Sequence, residues 1–225
     1  VFQTLCFGFQ ACYQNIYDPQ DVISTELGIK TDLANNTVRI NASTFYAAYS
    51  DMQQTAIDPS GSGLFPVINV GGADVFGIEL ETYWSPLENL DFYLIFGYAD
   101  DKLDSESKAQ LPTTKGLPGL PKTAGKLGVD WRVPVFSSWN FLVGADVDYS
   151  DDYYATIGNE LLIDSYTRFN GRIGLDQPDG NWSLILAGTN LTDEEDLYSG
   201  IAGGGTNIRT PQRPREYMLT LGYRY

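Results

Sequence analysis

Apolar and polar side chains alternate at every second position along almost the whole chain, the period of extended strands and not of helices. The clearest run is the last. Tyr217, Leu219, Leu221, Tyr223 and Tyr225 fall on one side, while Met218, Thr220, Gly222 and Arg224 fall on the other. A solvated edge strand with such an apolar row would invite aggregation unless something covered it. Hydrocarbon on that side removes the problem, and tyrosines at the ends of the row suit a membrane–water interface.

Nine stretches share this pattern. Residues 23–33 set Ile23, Thr25, Leu27, Ile29 and Leu33 against Ser24, Glu26, Lys30 and Asp32. Residues 73–84 set Phe76, Ile78, Leu80 and Trp84 against Val75, Gly77, Glu79 and Glu81. Leu127, Val129, Trp131 and Val133 oppose Lys126, Gly128, Asp130 and Arg132, and Phe141, Val143, Ala145, Val147 and Tyr149 oppose Gly144, Asp146, Asp148 and Ser150. The others fall near residues 37–55, 90–98, 168–176 and 182–191, and no helix is expected anywhere. Connections after the odd-numbered stretches are short turns, and those after the even-numbered ones are longer and rich in polar residues, Gly or Pro. Outer-membrane barrels alternate short periplasmic turns with longer extracellular loops in this way. A soluble β-sandwich gives less reason for it. The expected fold is therefore all-β, an antiparallel transmembrane β-barrel.

Composition removes several function classes. With 14 Lys+Arg against 29 Asp+Glu the formal charge is -15, and no basic stripe offers itself to a nucleic acid. The chain has 0 His, which excludes imidazole metal ligation and His-based acid–base catalysis within it. No apolar run is long enough for a transmembrane helix, which says nothing about strands. Cys6 and Cys12 either close a small disulfide loop in an oxidising compartment or remain thiols.

Strand parity adds a topological expectation. Bacterial single-chain barrels have even strand numbers, and nine strands leave two unpaired edges that lipid does not tolerate. If the last strand ends in the periplasm, the first enters from outside. Residues 1–20 then read as an extracellular loop segment, and residues 21–225 as the C-terminal part of a larger barrel.

Several motifs in order resemble the TonB-dependent receptor family. Asn69-Val70-Gly71-Gly72-Ala73 leads into Phe76-Gly77-Ile78-Glu79-Leu80-Glu81, similar to that family's Gly-x-Glu-x-Glu strand. Trp84-Ser85-Pro86, Phe96-Gly97-Tyr98 and Leu117-Pro118-Gly119-Leu120-Pro121-Lys122 resemble the turn and strands that accompany it. Phe169-Asn170-Gly171-Arg172-Ile173-Gly174, Trp182 and Gly188-Thr189-Asn190-Leu191-Thr192-Asp193-Glu194 resemble its closing hairpin. The aromatic ending (Tyr217, Leu219, Leu221, Tyr223, Tyr225) resembles the signal read by the bacterial outer-membrane assembly machinery. The resemblance implies a plugged barrel of about 22 strands. It implies a transporter and not an enzyme, without cofactor, importing a scarce nutrient such as a ferric siderophore. Energy would come through TonB, whose binding box and the plug lie outside this chain. The bilayer and lipopolysaccharide would surround it. A passive porin-like channel is the alternative, and a soluble β-rich binding or adhesion module a third.

Candidate site residues follow from face and loop position. Glu79, Glu81, Arg168 and Arg172 fall on the polar face and would meet the plug, Glu79 and Glu81 foremost, although a wet lumen is polar in any case. Tyr153, Tyr154, Arg209 and Arg213 lie in loops, where rings offer area to a flat chelate and Arg pairs with anionic groups. An aromatic girdle and ordinary loop contacts would explain them equally well. Asp146, Asp148, Asp151 and Asp152 have oxygen ligands suited to a hard cation. Their place along a strand reads as solvated charge, and no metal site is assigned.

Overall fold

The computed structural model describes residues 17–55, 67–136, 138–159, 161–178, 180–203 and 206–224. Nine long strands form one antiparallel sheet in sequence order. They are β1 (Asp21–Leu33), β2 (Val38–Ser50), β3 (Ala73–Leu87), β4 (Leu90–Leu103) and β5 (Thr123–Phe136). The rest are β6 (Trp139–Ser150), β7 (Tyr166–Asp176), β8 (Trp182–Thr189) and β9 (Glu216–Tyr223). Each strand pairs with its chain neighbours, the meander of an up-and-down barrel. Among the described residues β1 and β9 have one partner each, so the sheet is open.

Register joins the alternating patterns of separate strands into continuous rows. One row runs Leu90, Trp131, Val143, Ile173, Leu186 and Leu219 from β4 to β9. A slip of one residue would send a strand's whole apolar set to the polar face, so the two faces fix the register. The apolar face is uncovered: Leu127 is 53% exposed, Trp131 47%, Leu219 68% and Leu221 69%. Nine strands at about 4.8 Å each make a surface roughly 40 Å wide, far beyond the apolar patch a soluble monomer exposes. Hydrocarbon is the solvent that matches it. Rings border this face at both ends, as at a bilayer's two interfaces. At the turn end Trp84 stacks on Phe92 with ring centroids 5.2 Å apart, and Trp182 meets Tyr223 at 4.5 Å. Toward the loop end Tyr46, Tyr98, Tyr149 and Tyr217 occupy the same face.

The turn end is built from residues suited to sharp reversals. Ala34, Asn35 and Asn36 take left-handed backbone at φ 50, 55 and 66, a region asparagine tolerates better than most residues. Pro86 and Pro134 sit where the ladder slips register, because proline has no N–H to give it.

The loop end departs from the sequence expectation in two places. Residues Ser105–Gln110 form a helix, α1, where none was expected. The Asp104 side chain caps it by accepting from the Ser107 N–H, and Glu106, Lys108, Ala109 and Gln110 are all good helix formers. A helix under two turns is too short for its period to show. Within the long connection that follows β8, Leu197–Gly203 pairs with Thr206–Pro211 as a hairpin. Two smaller ribbons join Gln53–Thr55 to Val67–Asn69 and Tyr153–Tyr154 to Leu162–Ile163.

The buried clusters sit at this end, where the loops meet the first residue of β3 and the last of β4. Met52, Val70, Ala73 and Leu103 form one cluster under Tyr49, Leu111 and Leu117. Leu161 and Ile163 form another with Tyr153, Ala155 and Leu197. Residues 17–20 belong to the same end, where the Asp18 N–H donates to Asn69 Oδ1 at 2.7 Å and the Gln53 N–H to Gln20 Oε1 at 2.9 Å.

Candidate functional site

The polar face divides into two electrostatic zones. On β1–β3, Glu26, Glu79 and Glu81 project from neighbouring strands. Asn41 Nδ2 donates to Glu81 at 3.1 Å and the Ser43 hydroxyl to Glu79 at 3.4 Å, and among the described residues neither glutamate forms an ion pair. On β5–β7 the charges neutralise one another. Lys126 bridges Asp146 and Asp148, the latter at 3.0 Å, and Asn170 Nδ2 also donates to Asp148 at 2.7 Å. Arg172 pairs with Asp130 at 2.5 Å and Arg132 with Asp176 at 3.0 Å. Gly144 makes room for this: a Cβ there would stand 2.8 Å from the Arg172 Nε. Over the face lies an open hollow of about 920 Å³, bordered by Glu26, Lys30, Glu79, Glu81, Lys126 and Arg168.

Arg168 lies on the same face but its guanidinium is engaged within the protein. It donates to Asp196 Oδ2 through Nε at 3.0 Å and Nη2 at 2.5 Å, and its Cζ lies 3.7 Å from the centre of the Tyr166 ring. The four aspartates read together in the sequence are separated by the pleat. Asp146 and Asp148 face Lys126 on the polar side, whereas Asp151 accepts from the Tyr149 hydroxyl at the outer rim.

The loop residues singled out in the sequence have distinct surroundings. Tyr153 packs on the Leu161–Ile163 cluster and donates its hydroxyl to the Tyr198 carbonyl at 3.4 Å. Tyr154 takes Lys115 instead, with Nζ 3.1 Å from its hydroxyl and 5.6 Å from its ring centre. Arg209 stands opposite Gly200 in the hairpin, and Arg213 is solvated beside Glu216 at 3.8 Å. No described contact joins either arginine to the tyrosines. Cys6, Cys12 and Tyr225 lie outside the described residues.

Three residues the sequence reading passed over organise the loops. Asp104 Oδ1 accepts from the Ser107 N–H at 2.7 Å and Oδ2 from the Gly72 N–H at 2.9 Å. The Ser107 hydroxyl lies 2.6 Å from the Val70 carbonyl and 2.8 Å from that of Gly72. Gly71, at φ +60, leaves space that a Cβ would fill 2.6 Å from the Ser107 nitrogen. Asn190 is the third, at φ 51 and 3% exposed, with Oδ1 accepting from the Glu194 N–H and Nδ2 donating to the carbonyls of Glu194 and Arg213. Its motif carried the family resemblance without a role attached. The Asp104 capping pattern is the one signal that would have pointed to the first pair.

The Asp104 carboxylate is held below its ordinary pKa, mainly by the Ser107 N–H. A depressed carboxylate stabilises the fold above its ordinary value of about 3.9 and loses that contribution as pH falls through the lower, folded value. Limited proteolysis between residues 104 and 122 should therefore accelerate in strong acid. Asp104→Asn should flatten this dependence, and Asp104→Ala should cost about 1 kcal/mol at neutral pH.

Comparison with known proteins gives the lineage. The family described as TonB dependent receptor-like, beta-barrel matches residues 8–191. The probable TonB-dependent siderophore receptor PiuA of Acinetobacter baumannii is 24% identical over 219 residues, covering 92% of this chain and 27% of that protein. The chain thus spans about a quarter of the length of this relative. Its fold is that of the ferric yersiniabactin uptake receptor FyuA of Yersinia pestis, at TM-score 0.75 and 20% identity over 88% of this chain and 29% of that one. It is also that of the copper transporter OprC, at TM-score 0.71 and 15% identity over 93% of this chain and 32% of that one. With its uncovered apolar face, charged inner face and long loops at one end, the chain belongs to the TonB-dependent receptor family, as a stretch of the outer-membrane β-barrel.

Proposed function

We propose that this chain forms part of the wall of a receptor that imports a ferric siderophore across the outer membrane with energy delivered through TonB. The observation that carries the reading is the division of one sheet between a lipid-facing side and a charged side. Such a wall encloses a solute path and performs no bond chemistry. PiuA is named as a siderophore receptor and FyuA as a ferric yersiniabactin uptake receptor, which supports an iron complex as cargo. Glu79 and Glu81 dock basic side chains of a plug domain, a role supported by their lumen position and lack of ion-pair partners among the described residues. Arg168 and Arg172 face the same lumen, with their guanidinium groups shared with Asp196 and Asp130. Tyr153, Tyr154, Arg209 and Arg213 meet the cargo at the loop end.

Deleting the gene should abolish energy-dependent uptake of one labelled ferric siderophore and growth on it under iron limitation. The intact gene in a strain without TonB should do no better. Uptake that persists without TonB would make the protein a passive channel.

A further inference from the structure

The two solvents forbid a slip of one residue between neighbouring strands. A slip of two is another matter, since it returns every side chain to its own face. Where the connecting turn is tight, its geometry excludes that slip as well. The seams β1–β2, β3–β4, β5–β6 and β7–β8 are closed in this way, by residues 34–37, 88–89, 137–138 and 177–181. The other four seams are joined by residues 51–72, 104–122, 151–165 and 190–215. Connections of that length absorb a shift of about 7 Å, two residues of strand, without resistance.

Each long-loop seam carries a glycine crossed by the long side chain directly opposite it. Phe45 stands opposite Gly77 on β2–β3, and Tyr93 opposite Gly128 on β4–β5. A Cβ on Gly77 would overlap the tip of the Phe45 ring, and one on Gly128 the Tyr93 ring and its hydroxyl. On β6–β7 Arg172 lies opposite Gly144, with its Cγ 2.8 Å from where that Cβ would stand. On β8–β9 Tyr217 lies opposite Gly188, and its Cε1 is 3.1 Å away by the same measure. Gly28 and Gly97 face Ser43 and Glu79 across tight-turn seams, and no ring is among their nearest neighbours. The contact gains on both sides: a bare glycine leaves a strand nothing to pack, and a ring on the watery face hides one side from water. After a two-residue slip Phe45 would meet Val75 or Glu79, Tyr93 would meet Lys126 or Asp130, and Tyr217 would meet Leu186 or Asn190. None of these leaves a ring the space that glycine does.

We propose that Phe45 on Gly77, Tyr93 on Gly128 and Tyr217 on Gly188 are register keys, which select one pairing at the seams that the loops leave free to slip. The test is made on the β2–β3 seam of the full-length receptor, with its native cysteines, Cys6 and Cys12 among them, replaced by Ser. Ala42→Cys with Leu80→Cys reports the native register by disulfide formation, because the two residues are directly opposite. Ala42→Cys with Ile78→Cys, or with Thr82→Cys, reports the two slipped registers. The parent should cross-link almost wholly in the first pair. Phe45→Ala should raise the slipped cross-links by roughly fivefold, the worth of one strong cross-strand pair. Tyr83→Ala removes a ring of the same seam that stands opposite Arg39, and it should leave them at the parent level. Opposite residues of an antiparallel pair are related by a local two-fold axis, so Phe45→Gly with Gly77→Phe rebuilds the key from the other strand. That exchange should restore the parent pattern. Slipped cross-links that stay at the parent level in Phe45→Ala, that rise as far in Tyr83→Ala, or that persist in the exchange would overturn the key. Should Phe45→Ala fail to reach the outer membrane, the exchange decides alone: recovery of the native cross-link supports the key, and continued loss overturns it.

Discussion

Ile173→Arg will block assembly of the barrel, while Thr220→Arg will be tolerated. Ile173 is 50% exposed in the middle of the apolar row, between Val143 on β6 and Leu186 on β8. An arginine on the lipid face of a barrel costs about 2–4 kcal/mol at the bilayer midplane. A domain's whole stability is only about 5–15 kcal/mol. Thr220 pairs with Ile185 on the opposite face, where a cation enters the watery interior that Arg172 already occupies. The folded fraction in isolated outer membranes, read from heat-modifiable gel mobility, should collapse for the first variant and stay near wild type for the second. Equal tolerance of both would mean that the apolar face does not lie in lipid.

The strands were legible because two solvents impose the pattern on them. Along β3, β5, β6 and β9 each position answers to hydrocarbon or water, so eight or more residues repeat one instruction. Boundaries were less secure: β4 continues through Asp100 to Leu103, where the polar composition suggested a loop. That stretch stays extended because it pairs with residues 73–76 of β3, and Asp101 also accepts the Leu117 N–H at 2.9 Å, a partner 16 residues away. The helix and the hairpin were invisible for the same reason. Ser107 is fixed by Val70, 37 residues earlier, and no local period encodes that contact.

The candidate site was legible as faces and not as partnerships. Parity alone puts Glu79, Glu81, Arg168 and Arg172 on one side of the sheet, and the strand register has them on the same side. What parity cannot give is which charges are spent within the wall. Arg172 reaches Asp130 across the one intervening strand, β6, and Arg168 takes an aspartate from a loop 28 residues on. The tyrosine pair looked like one feature in sequence. Adjacent residues in a ribbon point to opposite sides, so Tyr153 enters an apolar cluster while Tyr154 meets Lys115.

The buried pair of Arg168 and Asp196 should be the most sensitive point of the loop end. Their side chains are 16% and 5% exposed, and the Tyr166 ring covers the guanidinium at 3.7 Å. Asp196→Ala leaves that charge enclosed without its counter-ion, a loss of about 3–5 kcal/mol in comparable buried pairs. Because the Asp196 backbone also closes the hairpin base, the loss should appear as local opening of residues 196–212 while the wall stays folded. Tryptic cleavage after Arg209 should accelerate by roughly a hundredfold, since cleavage follows the population of the open state. Arg168→Met combined with Asp196→Leu removes both charges and keeps the volume, an exchange that is often neutral or better. The double variant should therefore resist trypsin far longer than Asp196→Ala. If both variants are cleaved as slowly as the unaltered protein, the hairpin base is held by its backbone bonds, and the ion pair contributes nothing to it.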